Sequence, residues 1–287
     1  MPIKNILLPV DFPTPSVSII GEGVTLAEHF HAEIVLLHVA TAESHEAGVP
    51  IGAHDLANWN LLAEILRRNE QRFAQPLRER FEKLTVRGLV VQGDTAPAIL
   101  NAAKAQHADL IMMASCGSVF DEFLLGSVTA KVLRWRECPV WTSEHRETQA
   151  AGDFAIHNIL CALDLGSRSQ QVASWAAQLA TDFGAHLTLS TVTESMAIVA
   201  PGGTWTNPKY QQILVDSASQ RLTALRKKLG IEADLLIGTG DVPQVLSQIA
   251  NQTKADLLVL DCYPYSGNLR AHGYAIICTV PIPVLSV

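Results

Sequence analysis

At 287 residues the chain is long enough for two domains of ordinary size, and 48% apolar with 17% charged residues excludes a disordered polymer. A formal net charge of −7 excludes a general nucleic-acid binder, which needs a basic face. Five cysteines without CxxC spacing, in mostly apolar runs, exclude a disulfide framework and fit reduced thiols of a cytosolic protein. No leader-like start and no apolar run of membrane-spanning length are present, so a soluble, cytoplasmic protein with no membrane and no nucleic-acid partner is expected.

The apolar run from Asn5 to Val10 reads as a parallel strand covered on both faces. Asp11 to Ser16 is a loop. Ser16 or Ser18 is expected to cap a helix carrying Ile19, Ile20, Val24, Leu26, Ala27 and Phe30. Ala32 to Val39 is a second apolar strand, which closes a βαβ unit with a right-handed crossover. Thr41 to Asp55 is a polar loop, and Leu56 to Leu84 a long helical pattern kinked near Pro76. Within it Arg67, Arg68 and Arg72 alternate with Glu64 and Glu70, as on a solvated helix face. Val86 to Val91 is the third strand. Ala98 to Gln106 is a helix with Asp94 or Thr95 as cap and Pro97 in its first turn.

The stretch from Asp109 to Ser143 carries most of the functional information. Leu110 to Met113 is a buried strand, and Ala114, Ser115, Cys116 and Gly117 are small enough for a tight exit. After Gly126-Ser127, the residues Val128, Val132 and Trp135 recur at helical spacing. Ser127 is expected to be the N-cap, its hydroxyl accepting from a free amide of the first turn. A helix start after a small-residue strand exit offers amides and partial positive charge, which suits phosphate. Cys138 to Thr142 is the last strand of the half, with Pro139 at its start.

From Ile156 the chain repeats itself. Ile156 to Asp164 parallels Ile3 to Asp11, Leu179 to Val192 parallels Leu26 to Val39, and Gly240-Asp241 parallels Gly93-Asp94. Lys254 to Leu260 parallels His107 to Met113, and Val280 to Val287 parallels Glu137 to Trp141. Matches in one order mark a duplicated unit too long for a solenoid repeat. The expected fold is α/β: two tandem, doubly wound, five-stranded parallel-sheet domains. Residues 1–143 form the first, 144–154 a linker and 155–287 a second, degenerate copy.

The Asp109–Ser143 block resembles the signature of the universal stress protein family, a Gly pair followed by Gly-Ser or Gly-Thr and a helix, and the resemblance covers both halves. The first glycine of the pattern is Ala114 here, and eight residues, where the family has one more, separate Gly117 from Gly126. The resemblance implies that ATP, with Mg accompanying it, binds in the first half only. Pro9, Val10 and Asp11 would lie by the adenine or ribose, and the backbone of Val39 would meet the adenine edge. Ala114, Gly117, Gly126, Ser127 and Val128 would hold phosphate and ribose. It also implies an internal pseudo-dimer through Val140–Ser143 and Val284–Val287, with homo-oligomerisation open. On the residues alone, Asp11 could equally cap the next helix, and Val39 could simply be core.

In the second half Asp164 is retained, but Asp261 replaces the first glycine and no Gly-Ser precedes the helix, so no ATP is expected there. Arg270 and His272 could serve another anion, although such residues are more often surface or domain-contact residues. No Gly-x-Ser-x-Gly elbow, Walker loop or His-Glu-x-x-His pair occurs. His29 and His31 lack further ligands for a metal, and His38 fits a hydrogen-bonded core position. The chain therefore reads as a stress-response protein binding ATP or a related adenine nucleotide, with at most slow ATP hydrolysis. The alternatives are a non-nucleotide, dimerising scaffold, which the acidic Asp121 and Glu122 favour, and an adenine-nucleotide-dependent α/β enzyme.

Overall fold

The computed structural model describes residues 3–10, 17–40, 79–80, 83–115, 125–143, 154–193, 197–200, 203–206, 208–261 and 272–287. The chain divides into two compact units, residues 1–155 and 156–287. Most of the expected linker, the helical pattern before residue 79, and Asp11, Gly117, Asp121, Glu122 and Arg270 lie outside the described residues.

The first unit contains, in chain order, β1 (Asn5–Pro9), α1 (Val17–Phe30), β2 (Glu33–Ala40), β3 (Val86–Gln92), α2 (Thr95–Ala105), β4 (Leu110–Ala114), α3 (Ser127–Trp135) and β5 (Val140–Ser143). Its strands lie in the order β5-β4-β1-β2-β3, all parallel. Leu7 stands opposite Val35 on one side and Ile111 on the other. Ile6, Leu7 and Leu8 are fully buried, which is why β1 carries no polar alternation. α1 lies close on this sheet: a Cβ added at Gly23 would stand 3.0 Å from Leu8 Cδ1, a tight contact that the leucine side chain would have to yield to. Helix α1 begins at Val17, so Ser18 lies inside its first turn and is not its cap.

The second unit contains β6 (Asn158–Ala162), α4 (Ser169–Phe183), β7 (His186–Thr193), a hairpin β8 (Ala197–Ala200) and β9 (Gly203–Thr206), α5 (Pro208–Leu229), β10 (Asp234–Thr239), α6 (Val242–Thr253), β11 (Leu257–Leu260), α7 (Gly273–Thr279) and β12 (Val284–Ser286). Its parallel strands run β10-β7-β6-β11-β12, the same winding as in the first unit. The antiparallel β8–β9 pair has no parallel in the sequence reading.

The duplication extends to single hydrogen bonds. Asp109 Oδ2 accepts from the N–H groups of Lys4 and Asn5 at 2.8 and 3.0 Å. Asp256 Oδ2 does the same for His157 and Asn158, at 2.8 and 2.9 Å. In each unit this carboxylate ties the start of the fourth strand of the sheet to the start of the first. The residues two before these aspartates, His107 and Lys254, both have positive φ, 50° and 49°. Gly93 and Gly240, at φ 142° and 132°, make the same turn before the next helix. Asp94 and Asp241 then stand at the two N-caps, but only Asp241 makes the side-chain bond, accepting from Gln244 N at 3.2 Å. Among the described residues no helix is long and apolar enough to cross a membrane.

Candidate functional site

In an open parallel sheet the ligand crevice lies beyond the carboxyl ends of the strands, where the winding reverses direction. In the first unit that place is between β1 and β4, because β1 leads to β2 on one side while β4 and β5 lie on the other. Pro9 ends β1 opposite Leu37, and Val10 continues by donating its N–H to Leu37 O at 2.8 Å. β2 runs on past that point, which sets Val39, buried, beyond the end of β1. Ala114 ends β4, half-buried. Pro9, Val10, Val39 and Ala114 thus come to the same end of the sheet. His38 is buried in β2, with Nδ1 3.3 Å from Val10 O, a core residue as expected.

The start of α3 is fastened to the end of β4 in a way the sequence did not suggest. Gly126, not Ser127, is the N-cap, with φ −55° and ψ 138° and no side-chain cap bond. Ser127 is the first helical residue, and it is exposed. Gly126 O accepts from Ala130 N at 2.9 Å, while Gly126 N donates to Ser115 O at 3.0 Å. Thr129, which sequence reasoning passed over, donates its hydroxyl to Ala114 O at 3.0 Å. The Gly126 amide is therefore already used. The amides of the first helical turn, on Ser127, Val128 and Thr129, lack an intrahelical acceptor by the geometry of any helix start. This nine-residue helix directs its positive end at the reversal point.

Behind this end of the sheet lies a buried acid that the sequence reading also missed. Glu22 of α1 is 7% exposed. Trp141 Nε1 donates to its Oε2 at 2.6 Å, and Ser143 Oγ donates to its Oε1 at 2.6 Å. Burial pushes the carboxyl up from 4.5 to about 7, against the pull of the Ser143 and Trp141 bonds. The signal was present in the spacing: Ile19, Glu22 and Leu26 fall on one stripe of α1, so a charged residue sits where the apolar pattern demands core.

The second unit treats the corresponding places differently. Asp164 Oδ1 accepts from Gly166 N at 2.7 Å and from Ser169 Oγ at 3.1 Å, a local loop-closing role. Asp261, at the end of β11, is buried and pairs with Arg168 Nε at 3.3 Å. Arg168 also donates to Val287 O at 3.4 Å. The negative group at the strand end is thus supplied by the chain itself. His272 stands at the start of α7, a helix of seven residues.

Comparison with known proteins bears on both units. The family model for the universal stress protein family matches residues 2–143 and again 155–266. No curated protein gives a match. Among solved structures, the chain is similar to a functionally unknown protein of Pseudomonas aeruginosa PAO1, at 17% identity and a TM-score of 0.68 over 99% of this chain and 92% of that one. It is also similar to a universal stress protein of Archaeoglobus fulgidus, at 18% identity and a TM-score of 0.61, covering 98% of this chain and 95% of that one. At these identities the likeness speaks to fold, and it spans both halves of each chain. With a family match in each of its two units, the chain belongs to the universal stress protein family.

Proposed function

We propose that this protein is a stress-response protein of the cytoplasm that binds ATP, or a related adenine nucleotide, in its first unit alone. The observation that carries the reading is the start of α3, held by Gly126 and Thr129 at the carboxyl end of β4, at the reversal of the strand order. Members of this family bind adenine nucleotides. The described residues suit the phosphates: amides of Ser127, Val128 and Thr129, the exposed Ser127 hydroxyl, and no carboxylate between Leu125 and Thr129. Lys131, exposed and one turn after Ser127, adds a cation near the helix start. Mg would arrive with the nucleotide rather than in a protein cage. Pro9, Val10 and Val39 would form the apolar wall for the base. In the second unit the Arg168–Asp261 pair places a carboxylate at the strand end, which disfavours a phosphate.

The test is calorimetry of ATP with the full chain and with the Gly126→Asp variant. Aspartate is a good N-cap and the φ of −55° suits it, so α3 should persist. Its charge beside the phosphates should weaken binding roughly tenfold or more. Lys131→Ala should cost roughly three- to fivefold, and less at high salt. Unchanged affinity in the Gly126→Asp variant would place the phosphates elsewhere, and no binding by the native chain would leave the scaffold reading in its place.

A further inference from the structure

Glu22, Ser143, Ser115 and Gly126 form one hydrogen-bonded line from the buried face of α1 to the start of α3. Ser143 Oγ donates to Glu22 Oε1 at 2.6 Å. The carbonyl of Ser143 accepts from Ser115 twice, from its N–H at 2.8 Å and its hydroxyl at 3.1 Å. The carbonyl of Ser115 in turn accepts from Gly126 N at 3.0 Å. Trp141, fully buried, anchors the other carboxyl oxygen of Glu22 and meets Phe154 edge-on at 5.9 Å.

The fold does not require this acid. By the internal duplication, in which Leu26 matches Leu179, the counterpart of Glu22 is Trp175. Trp141 lies opposite Met112, and its counterpart Leu285 lies opposite Val259. A carboxylate with an indole and a hydroxyl in one copy is thus aromatic and aliphatic in the other. The polar line occurs in the unit whose α3 begins with Gly-Ser.

We propose that Glu22 is a proton-sensitive anchor that sets the position of Ser143 and, through Ser115, the point where α3 begins. When ionised, its two oxygens accept from Trp141 and Ser143 in short, charge-assisted bonds. A proton on the carboxyl turns one oxygen into a donor. The indole N–H can only donate, whereas the Ser143 hydroxyl can rotate and accept. Proton uptake therefore reverses the Glu22–Ser143 bond, removes its charge assistance, and loosens the end of β5 from α1. Ser115 and Gly126 hang from the same residue.

Among the described residues, few titratable groups face Glu22. α1 packs on β1, β2, β4 and β5. β1, β4 and β5 carry no titratable side chain. β2 presents His38 on the face of Leu36, which is in register with Leu8 under α1. On α1 itself Glu28 is paired with Arg80 at 2.7 Å, and His29 is exposed. Glu33 of β2 lies on the opposite face with Arg87. The rise of the carboxyl to about 7 puts the change near neutral pH.

The experiment is NMR of the isotope-labelled full chain from pH 5.5 to 8.5, without nucleotide. The indole N–H of Trp141, assigned with W141F, and the amide of Gly126 should titrate with one midpoint near 7. Both responses should vanish in E22Q. S143A, which keeps the acid, should preserve the Trp141 response and abolish that of Gly126. A Gly126 amide that is flat across this range, or that titrates unchanged in S143A, overturns the inference. Because no ligand is present, the outcome is separate from whether the first unit binds ATP.

Discussion

Replacing Glu22 with glutamine should make the first unit more stable at alkaline pH. Gln keeps the shape and both hydrogen bonds, since the Ser143 hydroxyl can turn to accept from its amide. The native carboxyl is raised by burial from 4.5 to about 7, so the folded state holds a proton that the unfolded chain has released. Stability from this group is full below 4.5 and is lost as pH rises through about 7. For one such group, linkage gives a loss of about 2.5 kcal/mol between pH 5 and pH 8. Glu22 is 7% exposed, so solvent screening removes little of it. Urea unfolding of the full chain at the two pH values, followed by the NMR signals of Leu7 and Ile111, reads the first unit separately. The gap in stability between E22Q and the native chain should widen in favour of E22Q at pH 8. A gap that is the same at both pH values would refute the assignment of a raised pKa to this burial.

The paired aspartates should be of equal structural weight. Asp109→Ala should destabilise the first unit, and Asp256→Ala the second, each by about 1–3 kcal/mol in the same unfolding assay, because each removes two charge-assisted backbone bonds. Arg168→Ala should destabilise the second unit by about 2–3 kcal/mol, since it removes the ion pair of the buried Asp261, and the double change with Asp261→Leu should recover most of that. Thiol labelling provides a different check. Burial pushes the Cys138 thiol up to about 11 and the fully buried Cys161 thiol higher still. Neither should react with a thiol reagent at pH 8 until urea unfolds the chain; rapid labelling of Cys161 in the native protein would contradict its place in β6.

Much of the fold could be read from local runs. Leu7 and Val35 belong to uninterrupted apolar strands, and strands buried on both faces announce themselves that way. The repeat of Ala-Asp before the fourth strand of each unit marked the duplication, and the structure explains it by the clamp on Lys4 and Asn5 and its copy on His157 and Asn158. The cap of α3 is not legible in the sequence, for a definite reason. Ser127 has the hydroxyl that capping rules favour, yet the work is done by the Gly126 backbone and by Thr129, whose acceptor is fifteen residues back. Glu22 was harder still, because its partners lie 119 and 121 residues away. A mispatterned charge shows that something must compensate, but chain order alone does not say what.

The placement of β1 has a consequence for biosynthesis. In the finished sheet this strand lies between β2 and β4, and its contact with Asp109 spans 104 residues. At roughly 5–20 residues per second, a ribosome delivers β4 about 5–20 s after β1. Over that interval Ile6, Leu7 and Leu8 have one open flank on the nascent chain, and the same delay recurs for β6 before β11 emerges. Each molecule thus passes through two windows in which a chaperone, or a neighbouring nascent chain, can reach an unpaired central strand.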